Sequence, residues 1–173
     1  MKEFRVLRAD EIECRVATVK ESGLSLLLYK NARTDMQLLD ETVGPMNWQR
    51  EHKEMKGNIY CGISIWDEEK GQWITKWDCG KESNTESEKG EASDSFKRAG
   101  FCWNIGRELY TAPFIWIDKK FAEIKNDKGK YKCYDTFAVE QILYEGKKIV
   151  ALSIINTTKR LRVFVYDTRK KAS

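Results

Sequence analysis

The chain has 173 residues, of which 41% are hydrophobic and 12% are aromatic. This composition can form a core, which excludes disorder of the whole chain, and the length fits one domain. No apolar run approaches the about 18 residues of a membrane helix, and the first residues lack the apolar centre of a signal peptide. We therefore expect a cytoplasmic protein that does not enter a membrane.

The formal net charge of +4 is unevenly distributed. Residues 1–118 carry a net charge of −4, whereas residues 119–173 carry +8. A basic final third suggests a polyanionic partner, although a lysine-rich surface that only aids solubility gives the same pattern. The five cysteines include no CxxC pair and the chain has one histidine, so we expect neither a disulfide framework nor a metal or other cofactor.

The first predicted elements are two strands and a helix. Residues 12–19 alternate in polarity, as in a strand, and residues 20–23 form a turn into a second strand over residues 24–29. A helix follows, because apolar residues then recur at spacings of four, three and four and stop at a Gly-Pro pair. Its apolar residues are Ala32, Met36, Leu39 and Val43.

A three-stranded antiparallel meander is predicted over residues 48–79, since alternating segments flank a polar turn at residues 67–71. Residues 80–90 form a polar loop, and a long helix is predicted from Glu91 to Leu109. Further strands are expected after Pro113. The fold class is therefore α+β, with a β-β-α-β-β-β-α core over residues 1–118 and a basic, β-rich extension of the same domain over residues 119–173.

The predicted long helix has two unusual faces. One is an apolar stripe that should pack on the sheet, with Trp103 buried; it consists of Ala92, Phe96, Ala99, Trp103 and Gly106. The other mixes cations with apolar groups and consists of Asp94, Lys97, Arg98, Phe101 and Ile105. This second face could meet another subunit, line a groove for a phosphate backbone, or be buried within one domain with the cations paired to Asp94.

The run from Glu91 to Tyr110, EASDSFKRAGFCWNIGRELY, resembles the signature helix of single-strand annealing proteins. It is most similar to the phage Sak-like branch of the Rad-fifty-two superfamily. The predicted order of the preceding elements and the Gly-Pro-x-Asn-Trp entry at Trp48 also fit that family. The resemblance covers roughly residues 8–118, and the final third matches only in being rich in strands.

The resemblance implies an oligomeric ring or arc that holds single-stranded DNA in a basic groove by its phosphates. Lys97 and Arg98 match the family's Lys-Arg pair in that groove, and Arg15 matches an arginine that contacts the DNA backbone. Tyr29 and Arg33 are weaker matches. Phe101 stands where eukaryotic relatives have a further basic residue, so it either removes a phosphate contact or replaces it with base stacking.

Strand annealing fits these residues because it needs neutralised phosphates and free base edges, and no bond is made or broken. We therefore predict a non-enzymatic, phage-type recombination and repair protein in the bacterial host cytoplasm. Its partners would be single-stranded DNA, copies of itself, and a single-strand-binding protein or a recombination nuclease.

Two alternatives remain open. The first is a nucleic-acid-binding or interaction module that has the same fold but no annealing activity. The second is a metal-dependent nuclease, which needs carboxylates that converge on a metal. The acidic residues lie instead in a turn and in the polar loop near the long helix: Asp67, Glu68, Glu69, Glu86, Glu88 and Glu91.

Overall fold

The computed structural model describes residues 3–80 and 87–171, and it confirms the α+β class with mostly antiparallel strands. In chain order the elements are β1 (Glu13–Lys20), β2 (Gly23–Tyr29), α1 (Ala32–Val43), β3 (Trp48–Met55), β4 (Asn58–Asp67), β5 (Gln72–Cys79), α2 (Ser87–Cys102), β6 (Ile115–Asp118), β7 (Ile124–Asp127), β8 (Lys130–Cys133), β9 (Phe137–Glu145), β10 (Lys148–Asn156) and β11 (Leu161–Asp167). No helix of this described part is long and apolar enough to cross a membrane.

The chain forms two compact units, which do not each follow one continuous segment. Unit 1 contains the described parts of residues 1–6 and 30–107, and unit 2 contains those of residues 7–29 and 108–173. Unit 2 is therefore built from an N-terminal and a C-terminal segment. The division of the chain at residue 118 stays a prediction.

Unit 1 consists of the predicted meander and the two helices. Strands β3, β4 and β5 pair in that order, with Ile63 of β4 opposite Arg50 and Lys76. Helix α2 packs on β4 and β5, and the indole nitrogen of Trp103 donates a hydrogen bond to the Ile63 carbonyl at 2.9 Å. The buried apolar side chains of unit 1 include Leu38, Leu39, Cys61, Ile63, Ile65, Phe96, Ala99 and Trp103.

Helix α1 spans the predicted apolar residues, from Ala32 to Val43, but buries a different stripe. The Asn31 side chain caps it by accepting a hydrogen bond from the Thr34 amide, and Gly44 ends it with a φ of 87°. The buried residues are Thr34, Asp35, Leu38 and Leu39, so only Leu39 of the predicted apolar set is buried. The stripe is rotated because Asp35 is buried in an ion pair with Lys30, an interaction that apolar periodicity does not show.

The predicted bounds of the long helix, Glu91 to Leu109, are wrong at both ends. Helix α2 begins at Ser87 and ends at Cys102. It ends there because Asn104 and Gly106 have left-handed backbones, with φ values of 66° and 71°. The last carbonyls are satisfied by side chains: Lys76 donates to Cys102 at 3.0 Å, and Arg107 donates to Phe101 at 2.7 Å.

The phase predicted for α2 is right where the helix exists. Within α2, Phe96 and Ala99 are buried, whereas Ala92 and Phe101 are half-buried. Trp103 is buried as predicted, although it lies just beyond the end of the helix. The second apolar face is wrong, because Ile105 lies beyond the helix and is fully buried. The argument for a subunit contact from that face therefore loses one of its two apolar residues.

Unit 2 contains a six-stranded antiparallel sheet in the order β11-β10-β9-β1-β2-β6, together with the separate hairpin β7–β8. Strand β1 pairs with β2 along its length, but with β9 only through Glu13 opposite Ala138. The apolar side chains that the sheet buries come from both chain segments: Leu24, Leu26, Ile115, Ile117, Val139, Ile149, Leu152, Ile154 and Val163.

Candidate nucleic-acid interface

Lys97 lies on α2 in unit 1 and is mostly buried, with 17% of its side chain exposed. Its Nζ is 3.9 Å from Asp94 Oδ1, one turn earlier on the same helix. This is the limit of ion-pair distance, so the contact holds the ammonium only weakly. Its backbone carbonyl accepts a hydrogen bond from Lys30 Nζ at 3.0 Å, which fixes the helix at this point.

Arg98, the next residue, points to a different carboxylate. Its Nε donates to Asp78 Oδ1 at 3.3 Å, and 36% of the side chain is exposed. Asp78 lies near the end of β5, so the pair connects α2 to the sheet. Partly exposed ion pairs contribute about 0–1 kcal/mol. A phosphate could therefore replace either carboxylate at little cost.

A buried ion pair contacts the backbone of α2 at Lys97, and sequence analysis did not identify it. Lys30 Nζ bonds to Asp35 Oδ1, and both side chains have at most 1% exposure. Asp35 Oδ2 is buried and has no hydrogen-bond partner in the part of the chain that the structure describes. Burial raises the pKa of Asp35 to about 6, although the positive charges of Lys30 and Lys97 oppose this shift.

Gly100 explains how α2 can lie so close to this pair. A Cβ at this position would be 2.9 Å from Asp35 Oδ1 and 3.3 Å from Lys30 Nζ. Any larger residue would therefore push against two charged groups that are held in place. The sequence signal for the pair is this glycine, which lies inside a helix where glycine is otherwise unfavourable.

Phe101 contacts the buried ammonium directly. Lys30 Nζ lies 4.1 Å from the centre of the Phe101 ring, in cation–π geometry. This contact uses one face of the ring that base stacking would need. The half-buried ring thus has a structural role, and its predicted role in DNA binding stays a prediction.

Arg33 is exposed in the first turn of α1, three residues after Lys30. Unit 1 therefore contains four of the six predicted DNA-binding residues, three of them on α2 and Arg33 on α1. The two helices are in contact through the carbonyl of Lys97 and the side chain of Lys30.

Arg15 and Tyr29 form a separate group in unit 2. They lie on the neighbouring strands β1 and β2, and the Arg15 guanidinium is 4.8 Å from the centre of the Tyr29 ring. Arg15 also donates to Glu13 Oε2 at 2.7 Å, and both Arg15 and Tyr29 are exposed. An exposed arginine stacked on tyrosine can bind a phosphate through its free guanidinium edge.

The meander carries exposed aromatic side chains that sequence analysis assigned only to strands. On the face away from α2, Trp66 and Trp73 are 37% and 40% exposed and meet edge to face at 5.5 Å. Trp77 lies flat on Gly62, and Lys53 Nζ is 4.9 Å from its ring centre. This face, formed by Trp66, Trp73 and Trp77, is called the tryptophan face below.

The acidic residues do not form a metal centre in the part of the chain described here. No group of three or more His, Cys, Asp or Glu side chains there is placed to hold a metal ion. Glu91 is buried and accepts a hydrogen bond from the Ile59 amide at 2.7 Å, so it joins α2 to β4. Glu86 and the side chain of Glu88 lie outside the described residues.

Comparison with known proteins gives no match: no family model, no curated protein and no solved structure matches this chain.

Proposed function

We propose that this chain is an oligomeric protein that binds single-stranded DNA and promotes annealing of complementary strands in homologous recombination. The observation that carries the proposal is the pair Lys97 and Arg98 on α2, whose carboxylate partners hold them weakly. The helix beneath them is fixed to the sheet by Phe96, Ala99 and Trp103. Two neighbouring cations on a rigid support suit an extended phosphate backbone.

The resemblance of the run from Glu91 to Tyr110 to annealing proteins supports the same function. So does the order of elements from β1 to α2, which is two strands, a helix, three strands and a second helix. Phosphate contacts leave base edges free for pairing, which is what annealing requires. The chain would act in the bacterial cytoplasm as a ring or filament, with a single-strand-binding protein or a recombination nuclease as partner.

The proposal is tested by replacing both Lys97 and Arg98 with alanine. The salt slope is the slope of log affinity plotted against log salt concentration. For single strands, each lost phosphate contact should reduce the magnitude of this slope by about 0.7, so the double variant should reduce it by about 1.4. The loss should be equal for all base sequences, because phosphates carry no sequence information. Fluorescence anisotropy with labelled oligonucleotides measures the affinity, and pairing of complementary strands measures annealing.

The matched control replaces Lys147 in the β9–β10 turn and Lys148 at the start of β10 by alanine, which removes the same charge elsewhere. It should change the slope much less. Light scattering with and without DNA reports the oligomer for every variant. An intact assembly with an unchanged salt slope in the Lys97/Arg98 variant would show that these residues do not bind DNA.

The tryptophan face supports a second candidate, an interaction module that does not anneal. Exposed aromatic clusters often mark binding surfaces, and Trp66 and Trp73 are exposed side by side on this face. Single-strand binding without acceleration of pairing would favour this candidate. Acceleration of pairing that is lost with Lys97 and Arg98 would favour annealing.

A further inference from the structure

The hairpin of β7 and β8 in unit 2 is a short, lysine-rich ribbon. Its two strands pair from Ile124 opposite Cys133 to Asp127 opposite Lys130. The connecting residues Lys128 and Gly129 have φ values of 51° and 86°. Such left-handed pairs form the tight turns whose twist matches that of the strands. The ribbon is therefore well defined by its backbone.

The arrangement of charge on this ribbon is unusual. Lys125 lies directly opposite Lys132, and like charges at directly opposed positions destabilise a strand pair. The opposed pair Asp127 and Lys130, two positions further along the strands, lies on the same face because side chains alternate along a strand. One face thus carries three lysines and one aspartate, and Lys128 adds a fourth lysine at the turn.

The partial compensation within the ribbon is exposed and therefore weak. Lys125 pairs with Glu123 at 3.2 Å, and Lys132 pairs with Asp127 at 2.5 Å. The side chains of Lys125 and Lys132 keep exposures of 60% and 44%. Exposed pairs of this kind contribute little, so an external anion can compete with both carboxylates.

The opposite face attaches the ribbon to unit 2. Ile124, Tyr131 and Cys133 are half-buried, and β8 lies against β1. The lysine face therefore points outward, and it carries no aromatic side chain. Single-strand binding surfaces combine cations with aromatic groups on which bases stack. A cationic face without aromatic groups is suited to phosphates whose bases are already paired.

We propose that the lysine face of the β7–β8 hairpin binds the phosphates of duplex DNA. A two-stranded ribbon fits the width of the major groove of B-form DNA, where it lies between two phosphate backbones. Lys125 and Lys132 would each neutralise a phosphate, which removes their mutual repulsion. This inference rests on the proposed function, since duplex DNA is the product of annealing.

The test replaces Lys125 and Lys132 with glutamine and measures binding to a short blunt-ended duplex and to one of its strands. For the duplex, the salt slope should become flatter by about 1.8, which is two contacts at about 0.9 each, and the affinity should fall about tenfold. Single-strand affinity should change much less. Because the variant removes a repulsion, its circular dichroism and thermal midpoint should not fall.

The matched control replaces Lys147 and Lys148 with glutamine, and its duplex affinity should stay close to that of the wild type. An unchanged duplex salt slope in the hairpin variant would overturn the inference. Equal losses for duplex and single strand, or equal losses in the control, would also overturn it, because they would indicate a general charge effect.

The two proposals can fail separately. Single-strand binding that depends on Lys97 and Arg98, together with duplex binding that ignores the hairpin, would overturn only this inference. Duplex binding that depends on the hairpin, without any effect of Lys97 and Arg98 on single strands, would overturn only the proposed annealing site. A wild-type protein that binds neither form of DNA would overturn both.

Discussion

Replacing Lys30 with alanine should lower the free energy of unfolding by about 3–5 kcal/mol, because it leaves the buried carboxylate of Asp35 without its counter-charge. The variant also loses the hydrogen bond to the Lys97 carbonyl and the contact with the Phe101 ring. Urea unfolding followed by circular dichroism measures the loss. This is the largest effect that we expect from any single substitution near the candidate site.

The pH dependence of this loss has a definite sign. Without Lys30, the folded-state pKa of Asp35 should rise further above its unfolded value, since one of the charges that lower it is removed. A raised carboxyl pKa gives stability that is present at low pH and is lost as the pH rises through the folded-state pKa. The variant should therefore lose less stability at about pH 5 than at about pH 8.

Two further variants control this prediction. Lys53→Ala removes a surface lysine that pairs with Glu51, and it should cost less than about 1 kcal/mol. The double variant Lys30→Met/Asp35→Leu replaces the pair with apolar groups and should recover most of the loss, because such replacements are often neutral or stabilising. A Lys30→Ala variant as stable as Lys53→Ala would contradict the role assigned to the pair.

Ending the chain after Asp118 should abolish cooperative folding of unit 2. The truncation removes β9, β10 and β11 from the six-stranded sheet. Strand β10 alone supplies Ile149, Leu152 and Ile154, which have at most 2% exposure. Burial of each contributes about 1.5–3 kcal/mol, and a whole domain is stable by only about 5–15 kcal/mol.

Thermal unfolding and dye binding to exposed apolar surface measure this effect. The fragment should bind the dye strongly. Its thermal unfolding curve should lack the transition that comes from unit 2. A chain that lacks only residues 170–173 is the control and should unfold like the full chain. If residues 1–118 unfold cooperatively and bind single-stranded DNA as the full chain does, then the division predicted from the sequence is correct.

Local patterns were enough to predict much of unit 1. The spacing of apolar residues in α1 and the alternation in the meander predicted these elements, because both patterns depend on neighbouring residues. The burial of Phe96, Ala99 and Trp103 followed from the same periodicity. Near the site, the adjacent cations Lys97 and Arg98 could be placed on one helix, but their partners could not be identified.

The remaining features depend on contacts between distant parts of the chain. The pairing of β1 with β9 joins residues more than a hundred positions apart, and no local pattern specifies it. The end of α2 is set by left-handed residues and by the Lys76 and Arg107 side chains, whereas the apolar spacing continues to Gly106. Lys30 was missed because a buried lysine is recognisable only when its counter-charge is known.

The split of unit 2 between the two ends of the chain affects the order in which the protein can fold on the ribosome. Strands β1 and β2 are made before residues 30–107, but the other strands of their sheet are made after them. The intervening residues 30–107 can complete unit 1 while the nascent hairpin still exposes an open strand edge. Open edges of this kind can pair with other chains. The interval between synthesis of β2 and synthesis of β9 is thus when a chaperone would protect this chain most.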